Sequence, residues 1–311
     1  MYTPADTAAP SLTWNLAHDA AQVLEYHFMV NALLAGSAVA VAAGLAGWVM
    51  LVRREAFAGH TLAMMAFPGA SAAALAGVAA GWGYLSFCIV GALAISRLPG
   101  GARGSWREEP AGIGVVQALA LGLGFLFVSL YGGVLGDLEG LLFGEVLGVS
   151  DGQVLELAVV AVLVAAVLAG IARPLLLSSV DPAGGLARGL PVKALSAGFL
   201  VLLGATVAAT SQVTGPLLVF ALLVMPAASA QALSTRPTTS LIASVAIALL
   251  AVWLGLGLAY FSVYPPGFYI ATVAFAIYLL ARAAAAAAAR RRRRVHGPAP
   301  APGRPLAPEA V

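Results

Sequence analysis

Long apolar stretches separated by short polar connections constrain the fold of this chain more than any other feature. A helix that crosses a bilayer needs about 20 apolar residues. Nine stretches approach that length, at about 28–52, 61–80, 83–97, 111–131, 153–172, 193–212, 214–233, 239–262 and 267–286. The third and seventh are short or interrupted, so eight spans fit equally well. Charged residues make up only 9% of the chain, against about a quarter in soluble domains. The sequence therefore predicts an all-α polytopic membrane protein with eight or nine transmembrane helices.

The basic residues fall in alternate connections, which predicts the orientation of the spans. The basic connections contain residues 53–54, 97–107, 173–193, 236 and 290–294, and the connections between them carry no Lys or Arg. Basic connections stay on the cytoplasmic side, so nine spans place the N-terminus outside and the C-terminus in the cytoplasm. We expect three regions: an extracytoplasmic or interfacial segment at 1–27, a membrane domain at 28–286, and a disordered basic, Pro-rich cytoplasmic tail at 287–311.

The second stretch carries the only histidine within the apolar body of the chain, after two arginines that a helix is not expected to bury. His60 and Met64 are four residues apart and share one helix face. Pro68 follows on the same face and, having no N–H, leaves the Met64 carbonyl without its helical partner. A titratable group in a membrane helix is a candidate functional site. The imidazole, the thioether and the free carbonyl predict a site where a cation binds transiently as it passes.

The connection at 178–192 differs from the others because it predicts a short helix between two spans. Asp181 reads as an N-cap with Pro182 at the first helical position, and Gly189 reads as the stop. Such a helix either receives force from a cytoplasmic partner or is an ordinary capped connector. The residues by themselves favour the connector.

The stretch at 211–230 contains Gly215-Pro216 and Pro226, which predicts a broken or short helix. Interrupted helices are tolerated in membranes where they are buried in protein or line a cavity, and they often mark a translocation path.

Two polar groups are expected on the outer side. His18, Glu25 and His27 cluster before the first span, either as interfacial polarity or as contacts for an arriving ligand. Five acids in or near the long outer connection have no basic partner there, and they predict a vestibule that attracts cations, a docking rim for another protein, or simply a solvated loop. These acids are Asp137, Glu139, Glu145, Asp151 and Glu156.

Several catalytic motifs are missing from the sequence. No P-loop for nucleotide binding, no H-E-x-x-H motif and no Ser-His-Asp set is found. We therefore expect a transport protein that is not itself an enzyme, with any ATP hydrolysis carried out by another subunit.

Four stretches in order resemble one known family, the permease subunits of bacterial metal-ion ABC importers of the zinc, manganese and iron group. They are RREAFAGHTLAMMAFPGAS in the second span, LYGGVLGDLEGLLFGEVLGVS in the outer connection, LLLSSVDPAGGLARGLPVKAL in the inner loop, and GPLLVFALLVMPAASAQAL in the broken segment. The resemblance covers about 28–280. It implies a type II ABC importer-like permease that forms a homodimer in the bacterial inner membrane, with a separate ABC ATPase and an extracytoplasmic metal-binding protein as partners.

The resemblance also assigns residues. The family has an aspartate and, four residues later, a histidine as pathway ligands, and these positions are His60 and Met64 here. Nitrogen and sulfur ligands suit zinc or copper(I) and are poor for manganese, so zinc is the expected cargo, with manganese, iron or copper as alternatives. The inner loop becomes the coupling helix that contacts the ATPase, with five candidate coupling residues. They are Asp181, Pro182, Ala187, Gly189 and Pro191.

Two other functions compete with this one. A secondary transporter or channel would work without an ATPase, but it would have no use for a coupling helix, and self-powered carriers normally need an intramembrane acid. A permease for chelates such as siderophores or cobalamin would share the architecture, but it would be indifferent to His60.

Overall fold

The computed structural model describes residues 15–98, 109–131, 144 and 146–296, and this part of the chain is helical without β-strands. We number the α-helices α1 to α10 in chain order; a short 3₁₀ turn at Val146–Gly148 lies between α5 and α6. The helices are α1 (Leu16–Glu25), α2 (His27–Val52), α3 (Ala56–Ala76), α4 (Ala80–Arg97), α5 (Glu109–Tyr131), α6 (Asp151–Val180), α7 (Pro182–Ala187), α8 (Val192–Leu233), α9 (Pro237–Tyr260) and α10 (Pro266–His296).

Each predicted span corresponds to a helix or to one half of α8, so the predicted fold class is confirmed. Among the residues that the structure describes, eight segments are long and apolar enough to cross a membrane. Helix α3 is 21 residues long but is not among them, because its glycine, histidine, threonine, serine and proline residues reduce its mean hydropathy. It packs against α4, α5 and α8, so its polar groups are placed within protein rather than against lipid.

Helix α8 folds back on itself at Gly215. This residue has φ 72° and ψ 155°, a conformation that glycine adopts without steric cost. As one straight rod, 42 residues would extend about 63 Å. Instead Ser196, near the start of α8, contacts Arg53, and Gln231, near its end, contacts Trp48, and both partners lie at the end of α2. The expected break is confirmed at Gly215-Pro216, whereas the helix continues through Pro226.

The same contacts show that several connections with basic residues meet at one end of the molecule, which we call the basic end. The Trp48 indole N–H donates to Ser240 Oγ at 3.0 Å, which brings the start of α9 to this end as well. At the opposite end, Asn31 of α2 donates to the Val149 carbonyl just before α6. The convergence of these connections agrees with the alternation of charge in the sequence.

Small residues let α3 approach α4 closely. A Cβ atom added at Gly69 would overlap the Gly83 carbonyl, and one added at Gly83 would overlap the Gly69 carbonyl and lie 2.7 Å from the Ala73 Cβ. Small residues recur at every fourth position from Gly69 through Ala73 and Gly77 to Gly81, a pattern that predicts close helix packing, but only Gly69 and Ala73 pack in this way. Gly77 ends the helix with φ 68°, and Gly81 already belongs to α4, facing Gln212.

The two ends of the described chain extend the sequence-based picture. Residues Leu16–Glu25 form a helix inside the predicted N-terminal segment. The last helix continues past residue 286 to His296, because the alanines and arginines of this stretch are strong helix formers. The rest of the predicted tail, 297–311, lies outside the described residues, as do residues 1–14.

Candidate functional site

A tight turn fixes the start of α3. Arg54 has φ 60°, its N–H donates to the Leu51 carbonyl at 3.1 Å, and the Glu55 N–H donates to the Met50 carbonyl at 2.9 Å. This pair of bonds is the Schellman pattern that ends α2. Helix α3 begins at the next residue, with the Gly59 N–H bonded to the Glu55 carbonyl at 3.0 Å. The turn therefore joins α2 to α3 without slack.

His60 lies on the first turns of α3 and is half-buried. Its ring packs edge-on against Phe220 in the second half of α8, with the centroids 4.7 Å apart at 61°. Its Nδ1 atom is buried and has no hydrogen-bond partner among the described residues. A neutral imidazole keeps one nitrogen with a free lone pair, so this side chain is able to act as a metal ligand.

Met64 lies one turn further along and is also half-buried, so the two predicted ligands share a partly accessible face. The helix runs on through Pro68 to Ala76. Because proline has no N–H, the Met64 carbonyl lacks its usual helical donor there. The structure thus brings the imidazole, the thioether and the carbonyl into one stripe.

The other faces of α3 are packed against protein. Met65 is buried, and its Cγ would lie 3.0 Å from a Cβ added at Gly91 of α4. Thr61 is fully buried and donates to Gln117 Oε1 of α5 at 2.9 Å. Gln117 is not among the residues predicted from the sequence, although a lone amide within an apolar span is a recognisable signal.

Within 15–98, 109–131, 144 and 146–296, no group of three His, Cys, Asp or Glu side chains is placed to hold a metal ion. The stripe on α3 of one chain supplies one imidazole nitrogen and one thioether sulfur as side-chain donors.

The connection between α6 and α8 folds as the sequence predicts. The Gly184 N–H donates to Asp181 Oδ1 at 2.9 Å, and Pro182 is the first residue of α7. Ala187 is its last residue, and Gly189 follows with φ 75°. Pro191 immediately precedes α8. This gives a short helix at the basic end, with Ala187 and Gly189 exposed.

Arg53 corrects the expectation that its side chain stays out of the protein body. The side chain is only 6% exposed and forms an ion pair with Glu55, itself 14% exposed, at 2.8 Å. It also donates to Ser179 Oγ of α6 at 3.1 Å and to Ser196 Oγ of α8 at 2.7 Å. We call Arg53, Glu55, Ser179 and Ser196 the Arg53 cluster. Sequence reasoning missed it because its partners are distant in sequence.

A second polar group lies at the opposite end, and we call it the Asp151 cluster: His27, Asn31 and Asp151. Asn31 Nδ2 donates to Asp151 Oδ1 at 2.6 Å, and His27 Nε2 lies 3.0 Å from the same oxygen. His27 and Asp151 are 77% and 76% exposed. Of the other predicted outer groups, Asp137, Glu139 and Glu145 lie outside the described residues, and the structure does not describe the His18 side chain.

The broken α8, the capped α7 and the polar stripe on α3 belong to a polytopic helical membrane protein. The sequence profile of the ABC 3 transport family matches residues 25–285. The chain belongs to the ABC 3 transport family, and the resemblance to permeases of metal-ion ABC importers is confirmed.

Individual relatives agree with this assignment. An uncharacterised membrane protein of Synechocystis sp. is 30% identical over 84% of this chain and 92% of its own length. The manganese transport system membrane protein MntC of Halalkalibacterium halodurans is 29% identical over 69% of this chain and 73% of its own length.

Two solved structures share the fold. PsaBC from Streptococcus pneumoniae, in complex with Fab, gives a TM-score of 0.75 at 25% identity, covering 86% of this chain and 95% of the other. A transporter described as metal-chelate type, in an inward-facing conformation, gives 0.65 at 18% identity, covering 89% and 91%. At that identity the second likeness shows the fold alone.

Proposed function

We propose that this chain is the permease subunit of an ATP-driven importer that moves a divalent transition metal, zinc first, into the cytoplasm. The observation that carries the proposal is the half-buried face of α3, where His60 presents a buried Nδ1 without a hydrogen-bond partner among the described residues and Met64 follows one turn later. In the tautomer that carries its proton on Nε2, this nitrogen keeps a free lone pair that would bind a passing cation.

Two copies of the chain would complete the site. A homodimer that places α3 of each protomer beside a common axis offers two imidazoles and two thioethers. Nitrogen and sulfur donors suit zinc and copper(I), and neither donor carries a charge. Binding would therefore be weak enough to release the ion, as conduction requires.

Manganese is the second candidate cargo. It is supported by the name of the Halalkalibacterium halodurans relative. The donor chemistry opposes it, because manganese prefers oxygen ligands. In the manganese case the Met64 carbonyl freed by Pro68 would be the oxygen donor on this stripe.

We infer that α7 is the coupling helix. It is short, capped by Asp181 and exposed at its C-terminal end around Ala187. It lies at the basic end, which the positive-inside rule assigns to the cytoplasm. The partners would be a pair of ABC ATPase subunits below α7 and an extracytoplasmic metal-binding protein at the opposite end. The bacterial inner membrane would hold the complex, with the C-terminus in the cytoplasm.

The deciding experiment is ATPase activity of the reconstituted complex of permease, ATPase and binding protein, with zinc, copper, manganese and iron offered in turn. We expect stimulation by one ion and loss of that stimulation in His60→Ala. If a complex that assembles fully shows the same stimulation in His60→Ala, His60 is not a ligand; a chelate permease would instead show no stimulation by any of the four ions.

Neighbouring methionines on α3 supply a matched control for the second ligand. Met64→Leu removes the thioether from the stripe, whereas Met65→Leu makes the same change on the face buried against α4. Swaps of this kind preserve volume and are usually tolerated. We expect reduced uptake only in Met64→Leu. Met64→His should shift the preference toward zinc, and unchanged preference would remove Met64 from the pathway.

The coupling assignment has its own matched pair. Asp181→Ala removes the cap that positions α7, whereas Asp181→Asn retains it, because asparagine caps helices about as well as aspartate. Partial uncoupling of ATP hydrolysis from uptake is expected for the alanine variant alone. Gly189→Arg should uncouple more strongly, because it places a bulky side chain on the exposed surface at a residue with positive φ.

A further inference from the structure

The guanidinium group of Arg53 contacts three parts of the protein: the end of α6, the start of α8 and the residue that precedes α3. We propose that Arg53 is a positioning residue that ties the two helices flanking α7 to the start of α3, so that α3 follows α7. This inference rests on the proposed role of α7 as coupling helix. It names the side chain that carries a displacement of α7 to the polar stripe of His60 and Met64 on α3.

The contacts of Arg53 reach both stems of the α6–α7–α8 connection. Its Nη1 donates to Ser179 Oγ at 3.1 Å, and Ser179 lies near the end of α6, just ahead of α7. Its Nη2 donates to Ser196 Oγ at 2.7 Å, and Ser196 lies in the first turns of α8. One side chain therefore holds the helix that enters the connection and the helix that leaves it.

The same guanidinium holds the residue that begins α3. Nε and Nη2 of Arg53 both donate to Glu55 Oε1, at 3.0 and 2.8 Å. Glu55 is the N-cap residue of α3, and His60 follows five residues later, about 7.5 Å along a helix axis. A shift of the guanidinium group is thus passed through Glu55 to the first turns of α3, where His60 lies.

Arg53 is held too firmly to act as a loose tether. Its side chain is 6% exposed, and its Cζ lies 5.4 Å from the centroid of the fully buried Phe199 ring. The planar fork of arginine spreads its donors in fixed directions, whereas lysine is a point charge on a flexible stem. The arrangement needs arginine, and lysine at this position would keep the pair with Glu55 but lose the simultaneous bonds to the two serines.

The backbone of the turn transmits the displacement. Arg53 is the last residue before the left-handed Arg54, and the turn is closed by two hydrogen bonds from Arg54 and Glu55 back to α2. Because these bonds fix the backbone of both residues between Arg53 and α3, the start of α3 has to follow Arg53. A direct route also exists through α8, which packs against α3, so the experiment must separate the two routes.

The test uses the complete complex with its ATPase and a cysteine reporter on α3. Phe57 is 42% exposed, and Cys88 is fully buried and is the only cysteine of the chain, so Phe57→Cys provides one accessible thiol. Its maleimide labelling rate is measured without nucleotide and after trapping with ATP and vanadate. We expect the two rates to differ several-fold in the otherwise wild-type protein.

Four changes are then compared in this reporter background. Arg53→Gln and the pair Ser179→Ala with Ser196→Ala should bring the ratio of the two rates to unity while ATP hydrolysis continues. The serine pair leaves the Arg53–Glu55 bond intact, so it tests the link without breaking the ion pair. Replacement of both serines by threonine keeps the hydroxyls and should preserve the ratio, as should Arg54→Gln in the same turn.

Each outcome decides something. If the reporter background itself shows no nucleotide-dependent change, α7 does not move α3, and the proposed coupling fails together with this inference. If the background responds and the alanine pair responds equally, the coupling stands and the displacement travels through α8 alone. Loss of response in the alanine pair and its retention in the threonine pair would assign the link to Arg53.

Discussion

The Arg53 cluster and the Asp151 cluster each link α2 to α6 by charged hydrogen bonds, at opposite ends of the molecule. The two clusters differ most in solvent exposure. At the basic end the paired side chains are 6% and 14% exposed, and at the opposite end they are 77% and 76% exposed. Water and salt screen the second pair and leave the first nearly unscreened.

The difference teaches which end is fixed and which is free to rearrange. A buried ion pair is costly to form, and once formed it is costly to break, because either partner left alone is an uncompensated charge. An exposed pair contributes little and exchanges readily with water. The basic end is therefore built to keep its geometry as it moves, whereas α2 and α6 are able to separate at the opposite end.

Arg53→Ala should give the largest effect on stability. It removes the Arg53 side of an ion pair in which both side chains are largely buried, and breaking a buried pair costs about 3–5 kcal/mol. Thermal unfolding of the purified permease in detergent measures the loss. Arg54→Ala in the same turn is the control, and a loss no greater than in this control would mean that the pair does not stabilise the basic end.

Glu55→Gln should have a smaller effect that isolates the charge. The amide oxygen of glutamine retains an acceptor for Arg53, but the charge-assisted bond is lost, at a cost of about 1.5–3 kcal/mol. Unfolding temperatures at low and high salt should show the same loss, because the site is screened from solvent. A loss that disappears in high salt would contradict the burial seen here.

Asp181→Ala is expected to cost about 1 kcal/mol by removing the N-cap of α7. This residue lies at the basic end but is exposed, so it shows whether the end as a whole is rigid or only the Arg53 cluster. Hydrogen exchange at Gly184, whose N–H bonds to Asp181, should become faster. Protection unchanged from that of Asp181→Asn would show that the cap is dispensable.

His27→Ala should produce the smallest shift in unfolding temperature, and the shift should shrink further as salt is raised. The exposed pair with Asp151 is already solvated, so little is lost when it is removed. Unfolding scans over a salt series measure this. A shift comparable to that of Arg53→Ala would mean that the two ends are equally firm, contrary to the comparison above.

Much of the fold follows from local sequence patterns. Apolar length predicts the crossing helices, the glycine–proline pair at 215–216 predicts the reversal in α8, and Asp181-Pro182 predicts the start of α7. Each of these signals lies within one continuous stretch of the sequence, so it acts on the backbone regardless of which helices pack against it.

The remaining features depend on partners far apart in the chain. Ser179 and Ser196 are separated from Arg53 by 126 and 143 positions, and nothing in the local sequence distinguishes these two serines from others at helix ends. The sequence identifies His60 by its rarity in an apolar segment and Met64 by its spacing of four residues from His60. It does not disclose the buried arginine that anchors the helix on which they lie.

If the proposed metal pathway runs along α3, the interlocked glycines of α3 and α4 limit which side of it is able to open. With Gly69 and Gly83 in backbone contact, α3 and α4 have no side chains between them at this point, and we expect them to move together. His60 lies on α3 and would move with the pair. Under the proposed function, an opening for the ion would therefore form away from α4, for example where His60 packs against the Phe220 ring of α8.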